Sequence, residues 1–354
     1  MSRFFSEKYK NLEPYTPGEQ PKDNQYIKLN TNESPFPPTP TAVQYIAQAS
    51  KSLQLYSDPE CRELVEIASK RFGVNKDEII FTNGSDEVLN FAFMAFCDKN
   101  TPAIFPDITY GFYSVFAQIN NIPYREIELY EDFTICVDDY KNVKGTVFIA
   151  NPNAPTGIAL TKKEIEEIVR SNPDNIVVID EAYVDFGAES VVSLTKKYDN
   201  LLVTQTFSKS RSLAGGRLGF GIGNKAIIQD LNTIKYSTNP YNVNSLTMAA
   251  GIGTLIDDSY SMENCQKIIE TREMTALKLK ELGFTMTDSS ANFIFTKHDV
   301  VNGKDIYLKL KEKGVLVRHF DKEKLRDYNR ITVGSDYQMQ ILIDKLKEVL
   351  EELQ

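Results

Sequence analysis

The chain has 354 residues, 42% of them hydrophobic and 25% charged, an ordinary composition for a globular protein and too long for one small core. A formal net charge of -9 argues against a nucleic-acid surface, which needs a basic stripe. Four scattered cysteines (Cys61, Cys97, Cys136, Cys265), two histidines (His298, His319) and no apolar run near the roughly 18 residues of a membrane span predict free thiols, no metal site, no membrane and a cytoplasmic location.

The first 40 residues, with LEPYTPG and IKLNTNESPFPPTP, hold too much proline for a regular helix or central strand and read as an extended arm. Helices are expected over roughly Thr41–Ser52 and Glu60–Phe72. From Ile79 short apolar runs alternate with helical stretches. IIFT precedes DEVLNFAFMAF, AIFP precedes a helix near Phe112–Ile119, and TVFIANP precedes TKKEIEEIVRS. IVVID then leads to LLVTQT, and LGFGIG to a helix starting near Lys225. Continuously apolar strands in this rhythm predict an α/β fold with a mostly parallel central sheet and helices on both faces. Ligands bind such sheets outside the carboxyl ends of the strands.

From about Ser259 the texture changes. A long charged helix near Met262–Leu282 precedes the strand-like ANFIFTK and VLVRHF, then NRITVG and the amphipathic DYQMQILIDKLKEVLEEL. The expected division is an arm over 1–40 joining the small domain, a large domain over 41–258 and a smaller α+β C-terminal domain over 259–354.

The polar residues with chemical potential fall at the strand ends. Gly84, Ser85 and Asp86 follow IIFT where a loop enters a helix, and free N–H groups there suit a phosphate, although Ser and Asp are also ordinary N-caps. IVVID ends in Asp180, whose carboxylate at a buried strand tip needs a partner or a cap. TFSKSRSLAGGRLGF follows LLVTQT; Lys209 is either part of a basic surface turn or an amine that condenses with an aldehyde. In the second case Thr206, Ser208 and Arg217 would be donors to a phosphate. NPNAPTG gives a rigid turn at the same rim. No strand is followed by G-x-G-x-x-G, which excludes a dinucleotide-binding oxidoreductase.

Taken in order, LEPYTPG, IKLNTNESP, LYSDPECRELVE, TNGSDEVLN, PDITYGFY, NPNAPTG, VVIDEAYVDF, TFSKSRSLAGGRLGF and NRITVG make the chain resemble, nearly end to end, the fold-type-I pyridoxal-phosphate-dependent aminotransferases. The closest resemblance is to the histidinol-phosphate aminotransferase family. It implies pyridoxal 5′-phosphate held by Lys209, with Asp180 on the pyridine nitrogen, Tyr183 on the 3′ oxygen and Tyr110 stacked on the ring. It further implies Gly84, Ser85, Asp86, Thr206, Ser208 and Arg217 around the phosphate, and Tyr56 reaching the partner's cofactor in a homodimer. Arg330 would pair with the substrate's anion, with Arg318, Tyr15 and Asn32 in the same pocket. The substrates implied are a small-molecule amino donor and a 2-oxo acid; a threonine-phosphate decarboxylase or an aromatic aminotransferase shares every cofactor residue.

Two positions depart from the family pattern. Many relatives carry Asn before P-T-G, where this chain has Ala154; Asn153, kept among the cofactor-binding candidates, is one residue away, and that shift points its side chain elsewhere and leaves the 3′ oxygen largely to Tyr183. Tyr56 is followed by Ser57 where relatives often have Pro.

Overall fold

A computed structural model describes residues 2–10, 12–20 and 26–353. Residues 21–25 of the arm lie outside this set. The arm carries one short strand, β1 (Ile27–Lys28), and two helices follow, α1 (Pro40–Ala49) and α2 (Arg62–Phe72). The alternating region runs β2 (Ile79–Thr82), α3 (Ser85–Phe96), β3 (Ala103–Pro106), α4 (Phe112–Ile119), β4 (Tyr124–Ile127) and β5 (Thr146–Ala150). It continues through α5 (Lys162–Ser171), β6 (Val177–Asp180), β7 (Leu201–Thr206), β8 (Gly219–Gly223) and α6 (Lys225–Thr238). The remainder is α7 (Ser245–Ile256), α8 (Asp258–Glu281), β9 (Phe284–Met286), β10 (Phe293–His298), α9 (Gly303–Glu312), β11 (Val315–Leu316), β12 (Arg318–His319), β13 (Asn329–Thr332) and α10 (Asp336–Leu353).

Seven strands form the main sheet in the order β2-β8-β7-β6-β5-β3-β4. It is parallel from β7 through β4, while β8 runs antiparallel to both of its neighbours. Successive strand residues point to opposite faces, and both faces are buried, which is why the strands are apolar without alternation. Ile79, Phe81, Val147, Ile149, Val177, Ile179, Leu201 and Val203 pack with α2, α5 and α7 on one side. Ile80, Ala103, Phe105, Phe148, Val178 and Leu202 pack with α3, α4 and α6 on the other. Thr161 starts α5 with a reciprocal capping box to Glu164.

A second, antiparallel sheet of order β12-β13-β10-β9 packs with α8, α9 and α10 around its own apolar cluster. The arm is tied to this unit, because β1 pairs in parallel with β11. The expected VLVRHF strand is therefore split: β11 pairs with the arm, and β12 pairs with β13. Among the described residues no helix is long and apolar enough to cross a membrane.

Candidate active site

The site is built at the carboxyl edge of the main sheet. β5, β6 and β7 are in register with Ala150 beside Asp180 and Asp180 beside Thr204, so β5 and β6 end level with Thr204 while β7 runs on to Thr206 at the same rim. A cavity of about 170 Å³ lies there, lined among others by Ser85, Asp86, Asp180, Thr206, Lys209 and Arg217. Thr206 pairs with Gly219, and Gly219 also pairs with Thr82, bringing the turn before α3 against the turn after β7. Glycine is required at that crossing, since a Cβ on Gly219 would overlap the backbone of Gly84 and Ser85. Gly84 itself has φ +80, and a Cβ there would lie 2.6 Å from the Arg217 guanidinium.

Asp180 is 4% exposed and has no cationic partner among the described residues; Tyr113 Oη, Thr204 Oγ1 and the Ala182 N–H donate to it, each at 3.2 Å. The salt bridge that would otherwise explain it is not there. Burial, and next the negative charge of Asp86, raise its carboxyl to about 6. Lys209 Nζ donates to the Thr31 carbonyl of the arm at 3.1 Å. Desolvation, and next the charge of Arg330, bring its ammonium down to about 8, against the opposing pull of Glu33 and Asp86. Its partly neutral amine is thus available as a nucleophile near neutral pH.

Opposite these groups lies an anion cradle. The N-terminus of α3 presents Ser85 and Asp86, while Thr206 Oγ1 and Ser208 Oγ stand 2.9 Å apart and Arg217 Nη1 reaches Ser208 at 3.4 Å. The second arm of the Arg217 fork holds Asp86 at 2.9 Å, and Tyr110 Oη donates to the other Asp86 oxygen at 2.7 Å.

A second cavity, about 420 Å³, shares Thr31, Tyr110, Ala154, Tyr183 and Lys209 with the first. Tyr15, Arg318 and Arg330 line it. Tyr15 is stacked on Phe112 with ring centroids 4.3 Å apart. Neither arginine forms an ion pair among the described residues. Arg330 donates Nη2 to the Asn30 carbonyl at 3.1 Å and leaves its buried Nε without a partner, while Arg318 donates to the Thr16 and Pro17 carbonyls. Cationic forks held by neutral carbonyls keep their full charge for an incoming anion.

One expectation about placement needs correction. Asn153 is not on the cavity wall: it is 3% exposed, its amide donates to the Ile108 carbonyl and Thr156 Oγ1, and its oxygen accepts from Thr109. The one-residue offset from Ala154 turns it into the turn's own scaffold. Tyr56 is far from burial, at 84% exposed, and stacks on Tyr241 with centroids 4.6 Å apart. Sequence reasoning missed Tyr113 and Thr204, the two side-chain donors to Asp180. Their signals were Tyr113's position one turn after Tyr110 and Thr204's place on the strand face that carries Thr206.

The donor set fits pyridoxal 5′-phosphate. A fully buried carboxylate lacking a positive partner suits a protonated pyridine nitrogen, the cradle suits a phosphate, and the depressed Lys209 suits an aldehyde. Fold and site together define the class of fold-type-I pyridoxal-phosphate enzymes.

Comparison with known proteins carries this to a family. The sequence model described as aminotransferase class I and II matches residues 24–346. A histidinol-phosphate aminotransferase of Brachyspira hyodysenteriae is 51% identical over 353 residues, covering 99% of this chain and 100% of that protein. One from Clostridium botulinum is 45% identical over 354 residues, covering 100% of both. Among solved structures, histidinol-phosphate aminotransferase of Sinorhizobium meliloti in complex with pyridoxal-5′-phosphate superposes with a TM-score of 0.84 at 22% identity, covering 92% of this chain and 91% of that one. The Clostridium acetobutylicum enzyme does so with a TM-score of 0.84 at 23% identity, covering 92% and 99%. The chain belongs to the class I and II aminotransferase family. It is a pyridoxal-phosphate-dependent aminotransferase.

Proposed function

We propose that this enzyme moves the amino group of histidinol phosphate to 2-oxoglutarate, a step of histidine biosynthesis, as a cytoplasmic homodimer. The observation that carries the reading is the pair Arg318 and Arg330, without an ion-pair partner among the described residues, in a cavity that Lys209 also lines. The names of the full-length relatives at 45–51% identity support the same donor.

When bound, pyridoxal phosphate supplies an electrophilic aldehyde carbon and a ring that accepts the electrons of a broken Cα–H bond. Lys209 would carry the covalent link to the cofactor's aldehyde carbon, and its free amine would move the proton between the substrate Cα and the cofactor C4′. An amine near pKa 8 can both accept and release that proton at neutral pH. Asp180 holds the proton on the pyridine nitrogen; Tyr113 and Thr204 fix the carboxylate in place. Tyr183 would donate to the 3′ oxygen and Tyr110 would stack against the ring. Gly84, Ser85, Asp86, Thr206, Ser208 and Arg217 hold the phosphate, the Gly84 turn letting backbone N–H groups approach. Arg330, with Arg318 and Tyr15, takes the anionic end of either substrate, because a guanidinium pairs bidentately with phosphate or carboxylate. Tyr56 would reach the cofactor phosphate of the partner subunit. Its exposure, and that of Val43, Leu53, Leu55 and Ile256, support a face covered by a second copy.

A donor panel tests the reading. Purified enzyme given histidinol phosphate and 2-oxoglutarate forms glutamate, and threonine phosphate or phenylalanine in its place reacts at least tenfold more slowly. Carbon dioxide release from threonine phosphate, or preference for phenylalanine, overturns it.

A further inference from the structure

Ala154 lines both cavities with a methyl group that offers no hydrogen bond. Tyr183 occupies the same wall, and its hydroxyl accepts from Asn32 Nδ2 at 3.0 Å. Asn32 comes from the arm, is 1% exposed, and sits at φ 56, a left-handed conformation that asparagine tolerates better than most residues. Four contacts hold it. Its N–H donates to Thr332 Oγ1 at 2.9 Å, and its Oδ1 accepts from the same hydroxyl at 3.1 Å. Its carbonyl accepts from Asn292 Nδ2 at 3.0 Å, and the fourth contact is the one to Tyr183. The network also fixes which way the amide points. Thr332 Oγ1 accepts the Asn32 N–H and gives its own hydrogen to Oδ1, and with that pairing Nδ2 faces Tyr183.

A phenol oxygen that accepts from Asn32 keeps one hydrogen to give. Among the described residues no acceptor takes it, and the hydroxyl stands on the wall the two cavities share. We propose that Asn32 is a positioning residue: by donating to Tyr183 it directs the tyrosine hydrogen into the cavity, onto the 3′ oxygen of the bound cofactor, supplying at one remove the donor that Ala154 lacks. The proposal rests on the cofactor reading above, and assigns Asn32 to the cofactor rather than to the substrate's anion.

The consequence is spectroscopic. The 3′ oxygen and the nitrogen contributed by Lys209 share one proton in the bound cofactor. A donor to the oxygen favours its anionic form and weakens its hold on that proton. Turning the Tyr183 hydrogen away therefore raises the pH at which the cofactor's visible absorption changes. The charged groups around Tyr183 are Lys209, whose Nζ lies 5.8 Å from the ring centroid, together with Arg330, Asp180 and Asp86. Glu33 and Lys28 stand on the arm beside Asn32. None of them is altered by the variants below.

The experiment is a pH titration of the visible spectrum of the holoenzyme, with cofactor reduced onto Lys209 as a check of occupancy. Asn32→Asp places an acceptor where the donor was, and the midpoint rises by roughly half to one pH unit, the size of one neutral hydrogen bond. Asn32→Ala moves it less in the same direction. In a Tyr183→Phe background, whose own midpoint is already raised, Asn32→Asp adds nothing. An unchanged midpoint in Asn32→Asp overturns the proposal, and so does a shift that persists without the tyrosine hydroxyl, because that would be charge acting through space. Should both Asn32 variants fail to fold, Thr332→Val answers the same question, because it removes the hydroxyl that holds Asn32 Oδ1 and frees the amide to turn its oxygen towards Tyr183: the midpoint rises, and an unchanged midpoint contradicts the proposal. Failure to trap any cofactor on Lys209 would instead overturn the cofactor reading itself.

Discussion

Asp180→Asn should stabilise the cofactor-free protein and cripple the enzyme. In the folded state burial and Asp86 raise the Asp180 carboxyl from 3.8 to about 6. A raised carboxyl binds its proton more tightly folded than unfolded, so its favourable contribution is complete below about 3.8 and is lost as pH rises through about 6. At pH 7.5 the ionised group therefore costs the empty fold about two pH units of differential interaction, roughly 3 kcal/mol. Asparagine removes the charge without stranding its neighbours: Oδ1 still accepts from Thr204 and the Ala182 N–H, and Nδ2 can donate to the Tyr113 hydroxyl. Thermal unfolding of cofactor-free wild type and variant between pH 5 and 8 reads the effect. The variant's midpoint should be higher by several degrees at pH 7.5, on the order of 3–8 °C, and the gap should narrow towards pH 5. No gain at pH 7.5, or a gap independent of pH, would refute the reasoning. With cofactor bound the sign reverses: the pyridinium loses its counter-charge, and turnover falls by on the order of 10²-fold or more.

Gly219→Ala should destabilise the protein by about 1–3 kcal/mol, because its Cβ must displace the Gly84–Ser85 backbone; the same displacement at the phosphate cradle should weaken cofactor affinity, measured by equilibrium dialysis. Arg330→Lys replaces a fork with a point charge and should slow both half-reactions about tenfold or more while leaving the cofactor spectrum intact; single-turnover rates equal to wild type in both directions would make Arg330 structural. Loss of Arg211, 1% exposed and paired with Asp185 and Asp258 at 3.1 Å, should cost about 2–4 kcal/mol of stability in Arg211→Ala, seen in denaturant unfolding, since Asp185 is left without a cation among the described residues while Asp258 keeps only Arg71 at 2.7 Å.

Most of the architecture was legible because the strands of a doubly covered sheet are apolar runs bounded by helix caps. IIFT, AIFP and LLVTQT become strands at the expected residues, and the helix over Phe112–Ile119 is observed there. The large-domain helix α7 was not legible. SLTMAAGIGTLI is buried along most of its length and so shows no amphipathic period, and its glycines serve close packing: Gly253 lies against the backbone of Thr41 and Ala42 in α1. The edge strand β4, Tyr124–Ile127, is largely exposed, and YREI lacks the apolar signature of its partners. At the site, the order Gly84–Asp86, Asp180, Lys209 and Arg217 was readable from motif and strand end. The support for Asp180 was less so, because Tyr113 comes from a helix 67 residues earlier in the chain. The one-residue offset of Asn153 from Ala154 already pointed its side chain elsewhere; what spacing did not show is that the amide ties the turn together through Ile108, Thr109 and Thr156.

The most direct measurement is borohydride reduction of the holoenzyme followed by peptide mapping. The account predicts a yellow protein whose absorption is lost on reduction, one cofactor fixed per chain on Lys209 within TFSKSR, and no turnover in Lys209→Ala. Label on any other lysine, or residual turnover at wild-type level in that variant, would contradict it.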